Sequence, residues 1–170
     1  ALVSRLGEKQ YRADQIYSFL FNPACRSWDH FSSVPKNLLC QIRDMFAFTS
    51  LDVAEVITAR DGKTKKYLFA TYDGYIIEAV WLQHDKRHTA CLSSQVGCRF
   101  GCVFCMSGSQ GFKRNLAACE IVDQLYIMAQ HEKISFTNVV MMGMGEPFDN
   151  YDEVLRAVRI INDKKAFHIG

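Results

Sequence analysis

The chain has 170 residues, of which 49% are apolar, and a formal net charge of +2 with a pI near 8.2. That length can bury the core of one or two small domains, and the mild positive balance permits nucleic-acid binding while arguing against a polycationic DNA-coating domain. No apolar run reaches the about 18 residues a membrane helix needs, and seven cysteines without a cleavable apolar N-terminal segment point to a reducing cytoplasm.

Residues 1–50 read as a helical accessory module. From Tyr11 to Phe21 the apolar positions Ile16, Phe19 and Leu20 share one face, with Tyr17 beside them. Asn22-Pro23 ends that helix, because a residue before proline avoids the helical basin. Pro35 suits the first turn of the next helix, in which Leu38, Leu39, Ile42, Met45 and Phe46 form an apolar stripe. Trp28 and Phe31 fill the joint, and Cys25 and Cys40 read as buried small hydrophobes.

In residues 51–84 the period changes. Lys65–Tyr72 and Tyr75–Trp81 are rich in aromatic and β-branched residues, and Asp73-Gly74 between them is a two-residue hairpin signal. A strand over Val53–Thr58, turning at Asp61-Gly62, would complete a three-stranded meander. Lys63, Lys65 and Lys66 have two readings: a solvated edge that discourages strand addition, or a phosphate-contacting surface.

Residues 85–170 carry a βα pattern. Ala118–Gln130 is helical, with Ile121, Val122, Leu125 and Met128 on one side. Phe136–Met142 reads as a parallel strand buried on both faces. A helix containing Val154, Leu155, Val158 and Ile161 follows, with Asn150 and Glu153 as its capping box. The expected class is α/β: the start of a (β/α) barrel or doubly wound sheet, preceded by the helical module and the meander. Ala1 at one end and His168-Ile169-Gly170 at the other read as cut rather than native, and two βα units would leave an open sheet edge. The chain is therefore expected to be the truncated N-terminal half of an enzyme, marginal as a free polypeptide.

Chemistry concentrates in two loops. Cys98-Arg99-Phe100-Gly101-Cys102-Val103-Phe104-Cys105 has the spacing C-x3-C-x2-C. Three thiolates leave one iron of a 4Fe-4S cube open, whereas a cluster that only carries electrons is normally held by four. Zinc sites favour C-x2-C pairs completed by a further Cys or His, and buried structural thiols are the blander reading. Gly143-Met144-Gly145-Glu146-Pro147 follows the second strand; its glycines allow close backbone approach, and its carboxylate can grip an ammonium group. His30, His84, His88, His131 and His168 show no ligand spacing with one another.

Together these loops make the sequence similar to the radical S-adenosylmethionine (SAM) superfamily. Cys91-Leu92-Ser93-Ser94-Gln95-Val96-Gly97-Cys98, Gly111-Phe112-Lys113-Arg114-Asn115-Leu116 and Met142–Pro147 narrow the resemblance to the dual-specificity RNA adenine-C2 methyltransferases. The resemblance runs through nearly the whole chain. It implies that Cys98, Cys102 and Cys105 hold a 4Fe-4S cluster, that SAM chelates the open iron, and that Gly145 and Glu146 contact its methionyl amine. Phe104 would lie near the adenine. It further implies methylation of carbon 2 of an adenine in 23S rRNA and of the adenine after the tRNA anticodon, through a methyl-cysteine that lies outside this chain. Cys91 matches the resolving cysteine and Glu78 the proton acceptor. The implied partners are the two RNAs and an electron donor such as flavodoxin or ferredoxin, with a monomer and no membrane expected.

Two positions depart from the family pattern. Met106-Ser107-Gly108 replaces small-Thr-Gly, and Ala117 stands where Ser or Thr would cap a helix, at a cost of about 0.5–2 kcal/mol. Cys119 reads as core; Lys113 and Arg114 read as phosphate contacts or as a solvated helix approach. The competing functions are methylation of carbon 8 by the sister group, a non-catalytic iron–sulfur or RNA-binding module, and a zinc domain.

Overall fold

The computed structural model describes residues 2–22, 24–109 and 111–170, so the helix stop expected at Pro23 lies outside the described residues. The first segment is helical, as its apolar spacing requires. It comprises α1 (Leu2–Arg5), α2 (Tyr11–Leu20), a 3-10 turn at Trp28–His30 and α3 (Lys36–Met45). Ile16 of α2 and Leu38 and Ile42 of α3 close on Val3, Phe31 and Val34. Phe31 stacks on Phe19 at 5.0 Å and meets Trp28 at 5.2 Å, so the two aromatic residues do fill the joint. The apolar stripe is shorter than its spacing suggested. Phe46 leaves the helix with an extended backbone, and Met45 and Phe46 are exposed. Cys25 is buried, but Cys40 is exposed rather than core.

The meander forms β1 (Leu51–Thr58), β2 (Thr64–Thr71) and β3 (Ile76–His84), and continues antiparallel into β4 (Arg87–Cys91). Hydrogen bonding therefore passes unbroken across residue 84. Beyond β4 the chain forms a short ladder of β5 (Gln95–Val96) with β6 (Arg114–Asn115), and α4 (Met106–Ser109) lies between them. Helix α5 (Ala118–Glu132) carries the chain back to β7 (Asn138–Val140), which runs parallel to β4. A 3-10 turn at Pro147–Asn150 and α6 (Tyr151–Asn162) complete the second βα unit. The sheet order is β1-β2-β3-β4-β7, an α/β architecture of the expected class.

Alternation along the strands creates two different faces. Tyr67, Phe69, Ile77, Ala79, Trp81 and Ala90 are buried in one cluster with Ile121, Leu125 and Met128 of α5. On the other face lie Glu78 and Val80 of β3 and, directly opposite Val80, Cys91 of β4. Among the described residues no helix is packed on them, and they are only half-buried. The parallel strand is shorter and less buried than its apolar run predicted. Among the described residues only three pair, Asn138 is exposed, and Val139 and Val140 are half-buried, because β7 has β4 as its single neighbour there. No helix among the described residues is long and apolar enough to cross a membrane.

Candidate functional site

The two loops singled out in the sequence follow β4 and β7, which are parallel neighbours, so both emerge at the same edge of the sheet. Between β4 and the thiol loop runs Leu92-Ser93-Ser94-Gln95, a segment that is almost wholly inaccessible to solvent. Its burial leaves backbone and side-chain polar groups that need partners, and the second loop supplies them. The Gly143 amide donates to the Leu92 carbonyl at 3.0 Å, the Met144 amide to Ser93 Oγ at 2.8 Å, and the Ser94 amide to the Met144 carbonyl at 2.9 Å. Gln124 of α5 completes the set, accepting from the Ser93 amide at 2.8 Å and donating to its carbonyl at 3.0 Å.

Gln95 joins the loops. Its Nε2 donates to Asn115 Oδ1 and to Asp149 Oδ2, each at 2.8 Å, and its Oε1 accepts from the Glu146 amide at 3.0 Å. Gly145 lies against it with φ +97°, and a Cβ there would fall 2.5 Å from the Cβ of Gln95. This glycine therefore answers first to a buried glutamine of the same chain. Glu146 is half-buried, and one carboxylate oxygen accepts from the Phe148 amide at 3.0 Å. A carboxylate has further acceptor positions, so it can still take an ammonium donor.

The capping box expected at Asn150 and Glu153 does not form. Asn150 is buried, and its Nδ2 donates to the Ser94 and Leu116 carbonyls, each at 2.8 Å. Glu153 instead caps α5, accepting from the Ala118 amide at 2.8 Å, while Glu120 takes the Ala117 amide at 2.8 Å. Those two carboxylates satisfy amides at the helix start that have no intrahelical partner, and their charge suits that end of the helix.

The thiol loop is held mainly at its base. Gln95 and Val96 pair with Asn115 and Arg114, and the Lys113 amide donates to the Val96 carbonyl at 2.9 Å. Gly97 makes the entry possible: its φ is +72°, and a Cβ would lie 1.9 Å from the Gly111 carbonyl oxygen. Beyond it, Cys98 is buried whereas Cys102 and Cys105 are exposed. The backbone amides of Ser107 and then Gly108 hold the Cys105 thiol below its usual range. Among the described residues, no three His, Cys, Asp or Glu side chains are gathered tightly enough to hold a metal. Gathering such ligands is a step that metal binding itself drives. The donor chemistry fits an iron–sulfur cluster: three soft sulfur ligands lie on one short loop, two of them facing solvent. His131 is committed elsewhere, edge-on to Tyr67 at 5.7 Å.

Glu78 and Cys91 share the uncovered sheet face. Glu78 pairs with Lys66 at 3.2 Å. Burial pushes the Cys91 thiol up, partly offset by the Met142 amide. Phe104 is exposed. The basic residues are less free than their sequence suggested. Lys65 meets Glu132 at 2.5 Å and lies over Trp81. Arg114 is gripped by Asp73 at 2.6 Å and Glu120 at 2.8 Å, so neither open reading, phosphate contact nor solvated approach, describes it. Cys119 is exposed rather than core. Sequence reasoning missed Gln95, Asn150 and Arg99, the last of which pairs with Asp149 at 2.8 Å. For Gln95 a signal was present: three uncharged polar residues enclosed by apolar ones directly after a strand.

The profile described as the radical SAM superfamily matches residues 92–170, the span that contains both loops. Residues 92–170 thus carry a radical SAM domain match. Curated relatives narrow the placement. The probable dual-specificity RNA methyltransferase RlmN of Thermotoga sp. (strain RQ2) is 41% identical over 170 residues, covering 100% of this chain and 50% of that protein. Its counterpart from Bacillus licheniformis is 40% identical over 173 residues, covering 99% of this chain and 47% of that protein. Among solved structures, a radical SAM methyltransferase from Sphaerobacter thermophilus superposes with a TM-score of 0.92 at 37% identity, over 99% of this chain and 50% of that one. The chain is thus similar to the N-terminal portion of these dual-specificity RNA methyltransferases and spans about half the length of the relatives it matches.

Proposed function

We propose that this chain supplies the cluster-binding and SAM-binding half of an enzyme that methylates carbon 2 of an adenine in 23S rRNA and of the adenine following the anticodon in tRNA. The observation that carries this reading is the joining of two loops through one buried residue: Gln95 leads directly into the thiol loop and accepts from the Glu146 amide at 3.0 Å. In this reading Cys98, Cys102 and Cys105 hold a 4Fe-4S cluster, while Gly145 and Glu146 receive the methionyl amine of SAM. Bound together, the cluster and SAM would supply radical chemistry, which can functionalise an electron-poor ring carbon that ordinary methyl electrophiles do not attack.

The chain's own residues do the rest. Glu78, fixed by Lys66, accepts the proton that leaves the ring carbon. Cys91 resolves the link between RNA and the methyl-carrying cysteine: its thiolate forms a disulfide with that sulfur as the sulfur–carbon bond breaks, and the carbon keeps the electron pair and takes up a proton to become the methyl group. A thiol raised by burial stays protonated at neutral pH and attacks only once its proton has been removed. Both groups lie on the uncovered sheet face, where a base inserted between the loops would meet them. The electron source is a flavodoxin or ferredoxin in a reducing cytoplasm.

The test begins with the full chain reconstituted anaerobically. About four irons per chain and a paramagnetic resonance spectrum that changes with SAM support the reading. Zinc in place of iron, or a cluster indifferent to SAM, overturns it. Mass spectrometry of 23S rRNA and tRNA digested after reaction with the longer enzyme, which adds the methyl-carrying cysteine to this half, then reads the position: 2-methyladenine supports the proposal, and 8-methyladenine assigns it to the sister activity.

A further inference from the structure

We propose that Arg99 is a positioning residue that couples the thiol loop to the loop bearing Glu146; its consequence for SAM rests on the function proposed above. Arg99 lies between Cys98 and Cys102, in a segment open to solvent. Although Arg99 is itself exposed, its guanidinium lies 4.0 Å over the Phe112 ring while Nε meets Asp149 Oδ2 at 2.8 Å. The same Asp149 oxygen accepts from Gln95 Nε2 at 2.8 Å, and Gln95 Oε1 accepts from the Glu146 amide at 3.0 Å. Three successive contacts therefore lead from a residue inside the C-x3-C-x2-C segment to the backbone of Glu146.

The path is stiff at its far end and soft at its near end. Gln95 is fully buried and abuts Gly145, so it cannot turn without moving the Gly-Glu-Pro backbone. Arg99, by contrast, rides on the loop that must rearrange if Cys98, Cys102 and Cys105 are to meet one cluster. A half-exposed ion pair contributes little to stability by itself. What distinguishes this one is its place: the Asp149 carboxylate is shared between an exposed cation on the thiol loop and a buried amide. Closing the thiol loop redirects Arg99 at Asp149, and thereby sets the orientation of the group that receives the SAM amine.

Arg99→Ala, Arg99→Lys, Asp149→Asn and the Arg99→Ala/Asp149→Asn double variant of the full chain provide the test. In metal-free protein, hydrogen exchange at the Glu146 amide should accelerate in Arg99→Ala and less in Arg99→Lys, with the melting temperature nearly unchanged. In reconstituted protein, iron content should stay at the wild-type level while SAM affinity, read from the spectral change on titration, weakens about fivefold to tenfold. The double variant should be no weaker than the weaker single one. Unchanged exchange at Glu146, additive effects in the double variant, or loss of iron in step with SAM affinity each overturns the proposal. If wild-type protein ignores SAM, the functional reading falls, and the exchange measurement, which needs neither iron nor SAM, still decides whether Arg99 couples the loops.

Discussion

The loops that follow β4 and β7 sit side by side and are built in opposite ways. The Gly143–Asn150 loop is strapped to the buried Leu92–Gln95 segment by backbone amides, by Ser93 Oγ, by Gln95 and by the side chain of Asn150. The thiol loop is pinned at its base by a two-residue ladder, and beyond it two of the three cysteines face solvent. One loop is complete in the protein alone. The other is arranged like a site whose final shape is set by what it binds, since ligand groups that must carry like charge have no reason to converge without a metal.

The largest contrast should come from Cys105→Ala. The side chain is exposed, so the metal-free protein should lose no more than about 0.5 kcal/mol of stability, while iron retained after reconstitution falls to background. Unfolding of the metal-free variant would show that the loop is not independent of the scaffold. The mirror experiment is Asn150→Ala. It removes both donors from the buried Ser94 and Leu116 carbonyls and should cost about 2–5 kcal/mol, read from urea midpoints with or without iron. A cost under about 0.5 kcal/mol would mean that water or a shifted backbone replaces the strap.

Thiol labelling sharpens the comparison without any mutation. In metal-free protein, iodoacetamide should modify Cys102 and Cys105 in a first phase, and buried Cys98 and half-buried Cys91 only later. Simultaneous labelling of all four would place the opening of the loop below its base, at the β5–β6 ladder. Cluster reconstitution should protect Cys98, Cys102 and Cys105 together and leave Cys91 as it was.

Much of this division could be read in the sequence. Periodicity located α2, α3, α5 and the meander, and cysteine spacing located the thiol loop, because both signals are local. What stayed hidden was the pairing of polar side chains across the fold. Asn150 and Glu153 carry the signature of a local capping box, yet each serves a distant backbone group, since Ser94, Leu116 and Ala118 are closer to unsatisfied burial than the solvent-exposed start of α6. Arg114 is as basic as its neighbour Lys113, and only the fold shows that Asp73, some 41 residues away, holds it. The same blindness applies to Gln95 and Arg99, whose roles exist only once two loops stand side by side.

The smallest expected effect concerns that Asp73–Arg114 contact, which ties the hairpin turn to the start of α5 through Glu120. Hydrogen bonds from Arg114, and then from Thr71, hold the Asp73 carboxyl well below the usual carboxylate range. A carboxyl depressed in the folded state stabilises the protein above its unfolded value of about 4, and loses that contribution as pH falls from there through the folded value. Asp73→Asn should therefore lower the melting temperature slightly at pH 7, and the gap to wild type should close as the pH drops below the ordinary carboxylate range. A gap that stays constant down to strong acid would assign the effect to a charge-independent contact, the hydrogen bond from Thr71 Oγ1, and not to the ion pair. Because the turn lies beside the base of the thiol loop and not within it, Asp73→Asn should leave iron content and SAM response unchanged; a loss of either would extend the rigid scaffold to the hairpin.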